Sequence, residues 1–224
     1  MSSHIKICGV KTSDIAIDAA AAGASLLGFV FFKKSPRFIE PAAAETIVTD
    51  VKQASYDMGF EVPGFVGLYV DGGESALAEA APFLTHFQFH GHESPERCAS
   101  VRSEFGIDVI KAIPVGAPED VAALAEFADA ADMLLFDGRP PKGAERPGGN
   151  GEAFDWSILQ AYKSETPFLV AGGLTPKTVA AAIGATKGVS GFAGVDVSSG
   201  VEVRPGVKDA ALVAAFIKAA KGAS

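Results

Sequence analysis

The chain has 224 residues, a formal charge of −8, 48% hydrophobic and 21% charged residues. These are globular values, which exclude a disordered chain or a collagen-like repeat and permit burial of roughly 70% of the unfolded surface. An acidic balance gives no footing for nucleic acid or an anionic membrane as a partner. The longest apolar run, around residues 26–32, is broken by Gly28 and far too short to span a bilayer. No basic segment followed by a long apolar stretch opens the chain, so no secretory signal is expected. Cys8 and Cys98 sit in unlike contexts and read as free thiols of a cytoplasmic protein.

In chain order, residues 5–8 form a first short strand. Ser13-Asp14 then opens an Ala-rich helix to Ala22, with Gly23 at the expected C-cap. A strand at 26–32 precedes a helix opened by Glu40-Pro41 and ending near Ala54. A strand at 64–70 is followed by a helix over 73–81. The fourth strand is 86–89, and Ser94-Pro95 opens its helix, which ends near Glu104 before Gly106. The fifth strand is 108–113, and Pro118-Glu119 opens a helix to about residue 128. After the strand at 133–136 comes the longest element-free stretch, 137–153, then a helix near 156–162. A strand at 168–171 precedes a helix with Thr175 as N-cap, Pro176 at its first position and Gly184 as C-cap. The last pair is a strand at 191–195 and a helix from Lys208 to Lys221.

Eight strands alternate with eight helices, which implies parallel βαβ units. Eight such units close an α/β barrel of the (β/α)8 TIM type, here one domain over residues 1–224. An open doubly wound sheet is the alternative, but the first turn, Cys8-Gly9-Val10-Lys11, lacks a Gly-x-Gly-x-x-Gly pattern. A loop of about 17 residues is functional or mobile in a compact domain, and the one after the sixth strand lies on the catalytic face.

Active sites of such barrels gather at the C-terminal ends of the strands. Side chains alternate across a strand, so Lys6 and Cys8 point into the barrel while Ile5 and Ile7 meet the helices. A nearby cation would lower the Cys8 thiol pKa; the other reading is a buried thiol beside a structural Lys6 ion pair. Met133, Leu135 and Asp137 share the inward face of the sixth strand. Asp137 at the mouth is suited to general acid work if desolvation raises its pKa, or it anchors the loop. Arg37, in the basic loop after the second strand, suits a carboxylate or another anion, though a solvated loop would look similar. Gln88 and His90 face inward as a substrate-binding pair. No third ligand stands at metal spacing, so no metal is expected, and His92 reads as solvated or capping. The turns Gly172-Gly173 and Ser198-Ser199-Gly200 follow strands seven and eight, where barrels often bind phosphate. Two ordinary tight turns would read the same way. Gly148-Gly149-Asn150-Gly151 could fold over a ligand.

Taken together, Lys6-Ile7-Cys8-Gly9, Ser35-Pro36-Arg37, Gln88-Phe89-His90-Gly91 and Gly148-Gly149-Asn150-Gly151 resemble the phosphoribosylanthranilate isomerases. Phe154-Asp155-Trp156, Ala171-Gly172-Gly173-Leu174, Gly194-Val195-Asp196-Val197-Ser198-Ser199-Gly200-Val201-Glu202 and the segment from Pro205 to Asp209 continue the resemblance, which runs from residue 4 to about 220. It implies a cofactor-free Amadori rearrangement of N-(5-phosphoribosyl)anthranilate in tryptophan biosynthesis, by a monomer or homodimer. By position, Cys8 resembles the general base and Asp137 the general acid. Arg37 resembles the residue beside the anthranilate and Asp196 a sugar contact. Gly173, Ser198 and Ser199 resemble the phosphate site. The loop after Asp137 is longer and richer in Pro than in many members. Other phosphate-binding barrels, such as the ribulose-phosphate epimerases, resemble this chain less, because their paired Asp and His metal ligands are missing. A non-catalytic phosphosugar-binding barrel would need neither Cys8 nor Asp137.

Overall fold

The computed structural model describes residues 4–122, 126–127, 129–139 and 154–223. Eight parallel strands close a barrel in the order β1 to β8, with β1 hydrogen-bonded to β8. They are β1 (His4–Cys8), β2 (Leu26–Val30), β3 (Gly64–Tyr69), β4 (His86–Phe89), β5 (Asp108–Val115), β6 (Met133–Gly138), β7 (Phe168–Val170) and β8 (Phe192–Val197). Closure removes the open doubly wound alternative.

The surrounding α-helices are α1 (Ser13–Ala22), α2 (Pro41–Met58), α3 (Glu74–Ala80), α4 (Pro95–Phe105), α5 (Pro118–Ala122), α6 (Val179–Thr186) and α7 (Ala210–Ala223). Each lays an apolar stripe on the strands. In α2 the stripe is Ala44, Ile47, Val48, Val51 and Ser55, at helical spacing on one buried face. In α4 the Ser94 hydroxyl accepts from the Arg97 N–H and Pro95 fills the first turn, as the cap signal required. Gly23 and Gly106 close α1 and α4 in the left-handed region.

Four expectations need correction. The element expected near 156–162 is a 3₁₀ turn, Trp156–Ala161, not an α-helix. Gly184 lies inside α6, not at its end. That helix begins at Val179, later than the Thr175 cap implied. The first helical bond nevertheless runs from the Val179 N–H to the Thr175 carbonyl, and the Thr175 hydroxyl accepts from the Lys177 N–H. Finally, an antiparallel hairpin, β9 (Glu202–Arg204) and β10 (Val207–Lys208), interrupts the path from β8 to α7. Its Pro205-Gly206 turn is a hairpin signal in the sequence that the strand-helix alternation masked.

Two apolar layers follow from strand alternation. Between strands and helices lie Ile5, Ile7, Phe29, Phe65, Phe87, Phe89, Phe136 and Phe168. Inside the barrel, Leu26, Val66, Ile110, Ala112, Leu135 and Leu169 fill the lower part. Cys8, Val30 and Leu68 form a smaller cluster toward the mouth. No described helix is long and apolar enough to cross a membrane.

Candidate active site

Lys6 and Cys8 end β1 on its inward face, as alternation required. Lys6 is fully buried, and its Nζ donates to Asp196 Oδ1 on β8 at 2.7 Å. The two residues are partners in the β1–β8 register, which brings them together across the barrel wall. Burial lowers the Lys6 pKa, but the Asp196 carboxylate and Cys8 outweigh it and hold the ammonium above its ordinary value.

Of the two readings open for Cys8, the buried thiol beside a Lys6 ion pair matches this geometry. Burial pushes the thiol up, and although Lys6 and Lys208 pull it down, the net direction is up. The physical reason is that loss of water around the thiol outweighs the pull of Lys6, and the Asp196 carboxylate further disfavours a thiolate. Cys98 is buried in α4 and likewise pushed up by burial, to about 11.

Asp137 ends β6 and is buried. Its Oδ2 lies 3.4 Å from His90 Nε2, and His90 Nδ1 lies 3.3 Å from Gln88 Nε2. The Gln88 amide thus faces one ring nitrogen of His90 and the Asp137 carboxylate faces the other. Gln88 Oε1 is buried and has no partner among the described residues. Gly172 has φ +75°, and a Cβ there would stand 2.5 Å from the Gly138 nitrogen and 3.1 Å from Asp137 Oδ1. Only glycine lets the turn after β7 approach Asp137 so closely. The ring of His92 is exposed and lies 3.5 Å from Asp71.

The turns after β7 and β8 are packed against each other, with Gly200 backed onto the Leu174 carbonyl. Ser198 Oγ donates to the Cys8 carbonyl at 3.1 Å, tying the second turn to the end of β1. Ser199 opens a short 3₁₀ turn over Ser199–Val201. Gly172, Gly173, Ser198, Ser199 and Gly200 therefore share one corner of the mouth, above Lys6 and Asp196.

Arg37 is buried, not solvated, with Nε 2.8 Å from Glu202 Oε1 and Nη2 2.9 Å from Oε2. Lys208 Nζ donates to the same Oε1 at 2.7 Å and to the Ser198 carbonyl at 3.0 Å. Burial raises the Glu202 pKa, but Arg37 and Lys208 outweigh it and hold the carboxyl below its ordinary 4.5. Neither Glu202 nor Lys208 was singled out as a site residue by strand alternation. The hairpin that carries them is the reason, since it places them beside Arg37 from outside the eightfold pattern.

The structure thus makes three groupings at one mouth: Lys6, Cys8 and Asp196; Gln88, His90 and Asp137; Arg37 with Glu202 and Lys208. Cys8 and Asp137 end β1 and β6, with β8 and β7 between them. Residues 148–151 lie outside the described residues. Among the described residues, no three His, Cys, Asp or Glu side chains are grouped to hold a metal ion.

The chain matches the family model for N-(5'-phosphoribosyl)anthranilate isomerase over residues 5–219. It is 47% identical over 219 residues to an N-(5'-phosphoribosyl)anthranilate isomerase of Rhodospirillum rubrum, covering 97% of each chain. It is 43% identical over 225 residues to one of Rhodopseudomonas palustris, covering 100% of each. Among solved structures it is similar to phosphoribosyl anthranilate isomerase from Thermotoga maritima, with a TM-score of 0.81, 31% identity and coverage of 98% and 99%. A phosphoribosyl anthranilate isomerase in complex with reduced 1-(o-carboxyphenylamino)-1-deoxyribulose 5-phosphate aligns with a TM-score of 0.79, 30% identity and coverage of 98% and 99%.

Proposed function

The chain belongs to the N-(5'-phosphoribosyl)anthranilate isomerase family, and from that premise we propose that Cys8 and Asp137 are the base and acid of its reaction. The enzyme is an aldose–ketose isomerase of tryptophan biosynthesis. It converts N-(5-phosphoribosyl)anthranilate to 1-(2-carboxyphenylamino)-1-deoxyribulose 5-phosphate by an Amadori rearrangement. Every step moves protons and electron pairs within the substrate, so the chemistry asks for acid and base groups and for no redox cofactor.

In the first step Asp137 protonates the furanose ring oxygen. The anilino nitrogen lone pair then expels that oxygen from C1, leaving a protonated Schiff base. The Cys8 thiolate takes the proton from C2, and the electron pair of that bond neutralises the iminium to give an enolamine. The enolamine loses its enol proton and gains one at C1, which gives the aminoketone. His90 Nε2 stands 3.4 Å from Asp137 Oδ2, so a proton carried on that nitrogen stabilises the carboxylate left after proton donation.

The two ends of the substrate are held by different groups. The Gly172-Gly173 and Ser198-Ser199-Gly200 turns offer backbone and hydroxyl donors to the phosphate. Arg37 faces the anthranilate carboxylate with Nη1, since its other edge is given to Glu202. Gln88 Oε1 and Asp196 serve the sugar hydroxyls. One barrel, residues 1–224, supplies all of these groups, so a monomer and a homodimer are equally competent. A phosphosugar is the partner, with no role for nucleic acid or membrane. Both thiols are free and buried, which suits the reducing cytoplasm.

The observation that carries the assignment is the placement of Cys8 and Asp137 on inward faces at the same mouth, beside the two packed turns. The test is turnover of freshly generated substrate, followed by anthranilate fluorescence. Cys8→Ala and Asp137→Asn each lower kcat by about 10²–10⁴-fold with unchanged circular dichroism. Near-normal turnover by either variant removes its residue from the assigned role. Loss of activity on EDTA treatment would overturn the metal-free reading.

A further inference from the structure

Outside the strand wall stands another buried ion pair, which does not reach the mouth. Glu93 and Lys111 are each 4% exposed, with Lys111 Nζ 2.8 Å from Glu93 Oε2. Lys111 lies between Ile110 and Ala112, both inside the barrel, so alternation turns it outward. It therefore does not touch a ligand at the mouth.

Instead, the pair grips backbone. Glu93 Oε1 accepts from the Asp71 N–H at 2.8 Å and Oε2 from the Gly91 N–H at 2.9 Å. Lys111 Nζ also donates to the Gly91 carbonyl at 2.8 Å. The His90 N–H is held by the Tyr69 carbonyl at 2.9 Å. Asp71 closes the clasp: it adopts φ +52°, and its Oδ1 accepts from the His92 N–H at 2.7 Å. A Cβ at Gly91 would collide with that carboxylate. The peptides on both sides of His90 are thus fixed, and the His90 ring is the group that faces Asp137.

Taking two charges out of water is repaid only where further hydrogen bonds complete their shells. Here Glu93 has three donors and Lys111 has two acceptors. An apolar pair of similar volume would avoid the desolvation cost, but it would leave the Asp71 and Gly91 N–H groups without partners.

We propose that Glu93 and Lys111 are positioning residues for the acid step, acting on Asp137 through the backbone that aims His90. The proposal rests on the reading of Asp137 as the acid.

Kinetics of Glu93→Gln, alone and combined with His90→Asn, test it. Glu93→Gln lowers kcat about 10-fold and moves KM by less than about twofold, because orientation and not binding is lost. With His90→Asn present, Glu93→Gln adds less than about twofold, since its route is already cut. The ring ¹⁵N resonances of His90 shift in Glu93→Gln. Wild-type kcat, an equal loss with and without His90, or unmoved His90 resonances would each overturn the proposal. If Glu93→Gln does not fold, Glu93→Gln/Lys111→Met leaves no unpaired buried charge and takes its place in every arm. Asp137→Asn separates the two readings. Normal turnover there sinks the acid assignment and this proposal together. An inactive Asp137→Asn beside a wild-type-like Glu93→Gln sinks this proposal alone.

Discussion

Arg37 presents two N–H groups to the two oxygens of Glu202, Nε at 2.8 Å and Nη2 at 2.9 Å. This fork fixes the guanidinium plane, so the remaining edge has one direction in which to meet a carboxylate. Lys208 holds the same Glu202 from the other side and reaches the Ser198 carbonyl. Arg37 and the turn after β8 are therefore joined by one chain of charged contacts.

Loss of that fork should weaken binding more than chemistry. Glu202→Gln is expected to raise KM about 10-fold with a smaller change in kcat. Arg37→Lys should fare no better, because an ammonium cannot engage Glu202 and a substrate carboxylate as a planar fork does. Steady-state kinetics on both variants decide this. A kcat defect with unchanged KM would place Arg37 on the chemical step instead.

The same carboxylate carries a pH dependence of stability. Its folded pKa is held below the ordinary 4.5, so the folded state favours the ionised form. That stabilisation is fully present above the unfolded pKa and is lost as pH falls through the lower folded value. Thermal unfolding followed from about pH 7 to about pH 3 should show wild type losing its margin over Glu202→Gln at the acid end. A margin that is constant with pH would show that the ionised form brings no preference.

Cys8 should behave as a base that gains strength with pH. Its thiol is pushed above the ordinary 9.0 by burial; Asp196 adds to this rise, and Lys6 and Lys208 oppose it. The thiolate is therefore the minor form at neutral pH, and proton removal should quicken as pH rises toward the raised value. Alkylation by iodoacetamide in a Cys98→Ala background should follow the same rise. Cys98→Ala itself should leave turnover intact, since that thiol sits in α4 and is raised to about 11. A midpoint of alkylation below the ordinary thiol range would contradict the burial argument.

Lys6 and Asp196 form a pair in which neither partner can be spared alone. Lys6→Met leaves Asp196 buried without its cation and should cost about 3–5 kcal/mol of stability. Lys6→Met combined with Asp196→Asn removes both charges and should recover part of that loss. Urea denaturation of Lys6→Met, Asp196→Asn and the double variant measures it, and additive losses would show that the two side chains are not coupled.

The barrel itself was legible from the chain alone. Short apolar runs such as those at 5–8 and 133–136 placed the strands, and alternation told Lys6, Cys8, Gln88 and Asp137 from their outward neighbours. These are local properties of backbone geometry and hydrophobic burial, so neighbouring residues suffice to express them. What folding alone decided was how the strand ends meet. The β1–β8 register set Lys6 against Asp196, whose carboxylate opposes the pull of Lys6 on the Cys8 thiol. The hairpin after β8 carried Glu202 to Arg37 across 165 residues of sequence. Packing, and not pattern, also made burial outweigh nearby cations at the Cys8 thiol. Desolvation and charge pairing depend on distances between groups far apart in the chain, and a linear order of residues does not contain those distances.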